Sequence, residues 1–200
     1  MTALNDTALH NSDAAPAVAR FADPAGLGLA GFGMTTLVLS LANSNLVPGA
    51  ASGVFGMALF YGGIAQVIAG IWEFGNKNTF GATAFTSFGA FWLAFWFLAD
   101  TGQKLEANAV GAFLLAWTIF TAYMTIAAVK TNMVILLVFI ALTLTFLFLT
   151  IGAWGSGNET MTHVGGYLGL LTAALALYGS FATVINATWK RSVLPVMPAR

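Results

Sequence analysis

The chain has 200 residues, of which 58% are hydrophobic and 7% charged, with a formal net charge of zero and no cysteine. A soluble globular domain carries roughly 25% charged residues, so this composition belongs in lipid, and a neutral chain offers no electrostatic basis for binding nucleic acid. Without cysteine, disulfides, thiolate chemistry and cysteine-ligated metals are excluded.

Residues 1–20, "MTALNDTALHNSDAAPAVAR", have no continuous apolar run and no basic start, unlike a secretory signal peptide. Their apolar content is too low to offset ordering, and a flexible cytoplasmic tail is expected. Six apolar segments follow, at about 24–46, 50–74, 80–99, 108–129, 132–152 and 163–189. Each approaches or exceeds the roughly 20 residues a helix needs to cross hydrocarbon. The intervening breaks "NSNLVPG", "GNKNT", "DTGQKLEAN", "KTN" and "GSGNETMTH" are short, so consecutive spans are antiparallel neighbours. The expected organisation is a tail (1–20), an all-α domain of six transmembrane helices (21–190) and a short cytoplasmic C-terminal tail (191–200).

Basic residues set the orientation. Arg20, Lys77, Lys130, Lys190, Arg191 and Arg200 fall on the side of the N-terminus and Lys104 alone on the other, which puts both termini in the cytoplasm. Trp72 and Trp189 near the cytoplasmic ends, and Trp154 near an outer end, suit the membrane interfaces.

The first span starts at Asp23, a plausible N-cap, followed by Pro24 at the first helical position. It then places Gly26, Gly28, Gly31 and Gly33 around Phe32, where the helix needs close packing or open space. A faint repeat links "GFG" at Gly31–Gly33 to "SFG" at Ser87–Gly89, with the phenylalanines 56 residues apart and Leu142 a further 54 along. Three two-helix units would bring Phe32, Phe88 and Leu142 to one level around an axis.

No Lys or Arg lies inside a span, and the polar side chains there are mainly hydroxyls and amides. Thr35, Thr36 and Ser40 belong to the first span, Thr83, Thr86 and Ser87 to the third, Thr143 and Thr145 to the fifth. Such groups bond their own helix or a neighbour, or serve as uncharged ligands. In the second span Gly62, Gly63, Gln66, Gly70 and Glu73 share one face at helical spacing. Glu73 reads either as an interfacial carboxylate paired with Lys77 or as a proton-exchanging group. The last span carries a seam of Thr172, Ala176, Gly179, Thr183, Asn186 and Lys190, of which Asn186 is a candidate for an aqueous vestibule. No nucleophile, acid–base pair or metal-ligand spacing is present, so neither enzyme, cofactor nor metal is expected.

The block "DPAGLGLAGF", Asp23–Phe32, resembles the helix-opening motif of the acetate uptake transporter family, Asn-Pro-Ala-Pro-Leu-Gly-Leu followed by a small residue and Phe. "FYGGIAQVIAGIWEFGNKNTFGATAFTSFGAFW" (Phe60–Trp92) and "GGYLGLLTAALALYGSFATVIN" (Gly165–Asn186) are similar to the same family, whose bacterial members include succinate–acetate permeases. The resemblance covers residues 21 to about 195. It implies a hydrophobic constriction at Phe32, Phe88 and Leu142, one pathway per six-helix subunit, and a homo-hexamer. Family members commonly have Tyr at Phe88; Asp23 replaces the motif's Asn and Gly26 its second Pro, while Pro24, Leu27 and Gly28 match.

The expected function is passage of acetate and related small monocarboxylates, with succinate a further candidate, across a membrane whose lipid surrounds the protein. The expected location is the inner membrane of a bacterial or archaeal cell. Thr35, Thr36, Gln66, Thr86 and Thr143 are the candidate substrate ligands, standing in for water at a constriction that offers no hydrogen bonds. Glu73 is the candidate proton carrier. An uncoupled small-anion channel, and a non-transporting sensor or assembly subunit whose small-residue faces serve packing alone, are the alternatives.

Overall fold

Polar caps between the apolar runs decide where the helices begin. In the computed structural model, which describes residues 21–100 and 106–197, Asp23 Oδ1 accepts from the Ala25 N–H at 2.9 Å. The Pro24 carbonyl takes the Gly28 N–H at 3.0 Å, opening helix α1 (Ala25–Asn43). The second span is α2 (Ala51–Leu59), a π-helical segment (Phe60–Ala65) and α3 (Gln66–Gly75). Asn78 accepts from the Gly81 N–H at 3.0 Å at the start of α4 (Thr79–Asp100). Then come α5 (Ala107–Ala128), α6 (Met133–Ala153), capped by Asn132 on the Ile135 N–H at 3.0 Å, and α7 (Glu159–Trp189), capped by Asn158 on the Met161 N–H at 3.1 Å. At the starts of α1, α4, α6 and α7 a side-chain oxygen satisfies a backbone donor that the helix itself leaves unpaired, whereas α2 and α5 begin without a side-chain cap.

Six spans are long and apolar enough to cross a membrane, 19 to 31 residues each, and the fold is that of an all-α integral membrane protein. The expected tail at residues 1–20, with His10 and Arg20, lies outside the described residues, as do Lys104 and Arg200. Two details depart from the sequence-based spans. The break "GSGNETMTH" is helical from Glu159 onward, because Asn158 caps α7 and starts it four residues before the expected span begins at His163. The second span is not a continuous α-helix. The π segment changes the register between the buried pair Val54 and Ala58 of α2 and the buried Gln66, Ala69, Gly70 and Glu73 of α3, so both halves keep their small and polar faces inward.

The glycines of α1 serve close packing. A Cβ at Gly28 would lie 2.7 Å from the Phe85 ring, and one at Gly31 would lie 2.6 Å from the Tyr61 carbonyl oxygen. On another face Ser180 of α7 donates to the Gly26 carbonyl at 2.6 Å. Small residues of the α7 seam, Thr172, Ala176 and Gly179, are buried in turn. Such contacts replace the solvation that a glycine-rich helix would find in water. Outward lie Ile64, Ile68 and Ile71 of the second span, 42%, 44% and 57% exposed, a surface suited to lipid or to another subunit.

Beyond α7 the chain turns back. Lys190 takes a left-handed conformation with φ of 53°, and the following segment is pinned at three places. Asn186 Oδ1 accepts from Val193 and Leu194 N–H at 2.7 and 3.0 Å while its Nδ2 donates to Leu194 O at 2.9 Å. Tyr178 donates to Pro195 O at 2.8 Å, and the Met133 N–H to Met197 O at 2.9 Å.

Candidate functional site

The starts of α1, α4 and α6 lie at one end of the bundle, and each of the three helices carries one large apolar residue nine or ten positions beyond its polar cap. These are Phe32, Phe88 and Leu142, all buried in one cluster. The Phe32 and Phe88 ring centroids are 5.6 Å apart, and Phe88 is further enclosed by Phe120, Phe139 and Phe146 at 5.4, 6.0 and 6.4 Å. No side chain of the trio offers a hydrogen bond.

A cavity lies on either side of this level. The distal one, toward the ends of α1, α4 and α6, has a volume of about 440 Å³ and reaches Phe32 and Leu142 at its base. Its walls divide by chemistry: Phe91, Phe95, Phe113 and Phe146 form an aromatic side, while Thr36, Ser40 and Thr145 supply hydroxyls. Thr36 Oγ1 is buried without a hydrogen-bond partner in the protein. Thr145 bonds the Ala141 carbonyl at 2.8 Å and the Thr172 hydroxyl at 3.3 Å. One turn from Phe32, the Thr36 hydroxyl is therefore unoccupied by the protein's own backbone and adjoins the apolar trio.

The proximal cavity, at the starts of the same helices, has a volume of about 240 Å³. Leu29, Phe85 and Phe139, each one turn before a member of the trio, reach into its wall. Its polar lining is Asp23, Glu73, Asn78, Asn132, Thr131 and Thr183, and Val196 of the folded-back C-terminal segment also borders it. Glu73 is 2% exposed and its Oε1 has no hydrogen-bond partner in the protein. It is not the interfacial partner of Lys77: α3 ends at Gly75, and Lys77 sits past that end, exposed, with φ of 60°. Glu73 instead turns inward because Gly81 of α4 leaves room for it; a Cβ there would lie 2.7 Å from Glu73 Oε1.

The other sequence candidates are scattered. Thr35 donates to the Gly31 carbonyl at 2.8 Å and faces Gly62 of the π segment, away from both cavities. Gln66 and Thr86 are held between α1, α3 and α4, Gln66 beside Gly31 and Thr86 against Gly70, each with a side-chain oxygen unpaired. Thr143 bonds the Phe139 carbonyl at 2.8 Å and Thr125 of α5 at 2.9 Å. None of these four lines either cavity. Asn186 does not face a vestibule: its amide is committed to the C-terminal segment. In the opening motif Asp23 and Pro24 start α1, Gly26 and Gly28 pack, and Leu27 is 42% exposed on the outer surface. Asn78 and Asn132 were not singled out in the sequence, although their position just before apolar spans is the signature of a cap.

The chain matches the GPR1/FUN34/yaaH family over residues 7–199. It is 42% identical to the succinate-acetate/proton symporter SatP of Escherichia coli over 183 residues, covering 88% of this chain and 96% of that protein. It is 41% identical to the ammonia transport outward protein 2 of Saccharomyces cerevisiae over 203 residues, covering 94% of this chain and 70% of the yeast protein. A solved structure described as the bacterial acetate channel SatP superposes with a TM-score of 0.83 at 40% identity, over 88% of this chain and 99% of that one.

Proposed function

Because the chain belongs to the GPR1/FUN34/yaaH family, we propose that it carries acetate and similar small monocarboxylates across a membrane, through a constriction formed by Phe32, Phe88 and Leu142. The observation that carries this reading is the pair of cavities separated by one apolar level, with hydroxyls on the distal side and carboxylates on the proximal side. Bare acetate crossing such a level sheds hydration at a cost of several kcal/mol. Thr36, with Ser40 and Thr145, replaces part of that shell on the distal side, and the apolar level gates by wetting and drying.

In this reading the substrate crosses with a proton that Glu73 exchanges in the proximal cavity, and succinate is a second substrate. Lys77, Lys130, Lys190 and Arg191 at the proximal end support a cytoplasmic location for that end and for both termini. The bundle works as one subunit of a homo-hexamer in the inner membrane. Residues 21–190 are the transport domain, flanked by cytoplasmic segments. An uncoupled channel is the second reading, favoured by the similarity to a protein described as an acetate channel.

The deciding experiment is uptake of labelled acetate by proteoliposomes with and without an imposed pH gradient. Proton linkage requires that the gradient drive accumulation and that Glu73→Gln flatten the pH profile. An unchanged profile in that variant removes Glu73 as the carrier, and reversal potentials set by the anion gradient alone favour the channel.

A further inference from the structure

The proximal cavity has a chemistry that an anion alone does not match. The three caps that line it have each used one oxygen on a helix start: Asp23 on Ala25, Asn78 on Gly81 and Asn132 on Ile135. What each has left differs. Asn132 keeps its Nδ2 donor and Asn78 holds its own beside Glu73, whereas Asp23 keeps a carboxylate oxygen that only accepts. The two threonine hydroxyls already donate to backbone, Thr131 to Ala128 O at 2.7 Å and Thr183 to Gly179 O at 2.9 Å. Glu73 adds the unpartnered, buried Oε1.

The two acids are brought together by the packing of the chain start on α3. Phe21 lies edge-on to Trp72 with ring centroids 4.8 Å apart, and the Asn76 amide donates to the Ala22 carbonyl at 3.4 Å. Asp23 and Glu73 are the ionisable groups lining the cavity among the described residues; α4, α6, α7 and the C-terminal segment contribute neutral side chains. A free carboxylate entering here meets two carboxyl groups and brings no donor for Glu73. An undissociated carboxylic acid brings one: its O–H donates to Glu73, its carbonyl accepts from an asparagine amide, and its alkyl end lies against Leu29 and Phe85.

We propose that the proximal cavity is a binding site for the undissociated carboxylic acid, built from Glu73 and the three caps Asp23, Asn78 and Asn132, and that Asp23 makes it exclude the free anion. This rests on the transport reading and specifies the form of substrate that the cavity accepts. The handover is a simple proton transfer: the acid's O–H bond breaks, a Glu73 O–H bond forms, and the departing carboxylate carries the charge that Glu73 loses.

The test uses two probes close to acetic acid in size: acetamide, which is neutral and both donates and accepts, and trifluoroacetate, which stays ionised at working pH. In proteoliposomes at mildly acidic pH, acetamide competes with labelled acetate far better than trifluoroacetate does. Asp23→Asn keeps a capping oxygen and an open chain start, and narrows that preference several-fold by admitting trifluoroacetate; Asn132→Asp keeps its cap oxygen and weakens acetamide. Trifluoroacetate competing as well as acetamide in the unmodified protein, or a preference unchanged in Asp23→Asn, overturns the proposal. If the unmodified protein moves no acetate, the transport reading fails; ligand-detected NMR of the same probes on protein in lipid nanodiscs still reads the site, and equal probe responses in the unmodified protein and Asp23→Asn overturn it.

Discussion

Phe32 and Phe88 face each other with ring centroids 5.6 Å apart and planes tilted by 55°, at the level where the distal cavity ends and above the residues that wall the proximal one. Two helices that are not consecutive in the chain thus close one apolar level, with Leu142 of α6 in the same cluster.

Removing one ring should open that level. Phe32→Ala is expected to raise acetate leak and to admit longer carboxylates, read as proteoliposome flux of labelled acids. Truncating a buried phenylalanine also costs roughly 3–5 kcal/mol of stability, so Phe32→Leu serves as the milder companion. Unchanged flux and selectivity in both variants remove Phe32 from the constriction.

Thr36 and Thr145 separate a ligand role from a structural one. Thr36 Oγ1 has no partner, so Thr36→Val should leave thermal unfolding nearly unchanged while lowering acetate flux. One lost hydrogen bond of about 1 kcal/mol corresponds to a severalfold loss. Thr145→Val, which breaks the bond to the Thr172 hydroxyl, should lower the unfolding temperature as well.

Gly28 and Gly31 should differ in how an added methyl is tolerated. At Gly31 the methyl meets the Tyr61 backbone carbonyl, at Gly28 the ring of Phe85. Overpacking typically costs 1–3 kcal/mol, and Gly31→Ala should sit at the severe end, with no single side-chain truncation relieving it. Phe85→Leu should restore much of the stability of Gly28→Ala, measured by thermal unfolding in detergent.

Asn186 holds the returning C-terminal segment by three hydrogen bonds. Asn186→Ala should free residues 191–197 and speed tryptic cleavage after Arg191, with a stability loss on the order of 1–3 kcal/mol from the backbone groups left unpaired. Cleavage at the original rate would show that Tyr178 and Met133 suffice to hold the segment.

Much of the molecule was legible in residue order. Six apolar runs marked the six spans, and the spacing of Phe32, Phe88 and Leu142 pointed to residues that the structure gathers in one cluster. The hydroxyls were less legible. Thr35 and Thr36 are neighbours in sequence, yet one faces the π segment and the other the distal cavity. Glu73 and Lys77 are four apart, but the helix that would pair them ends between them.

By itself, the sequence determined the lipid-borne helices and the capped start of α1 at Asp23, because apolar run length and the side chain before a run are local properties. In a bilayer each segment must also satisfy its own backbone. Only the tertiary structure decided which polar groups face a cavity, that Glu73 turns inward against Gly81, and that Asn186 serves the C-terminal segment. Consecutive residues on a helix point about 100° apart, and which direction meets a cavity depends on where the other helices pack.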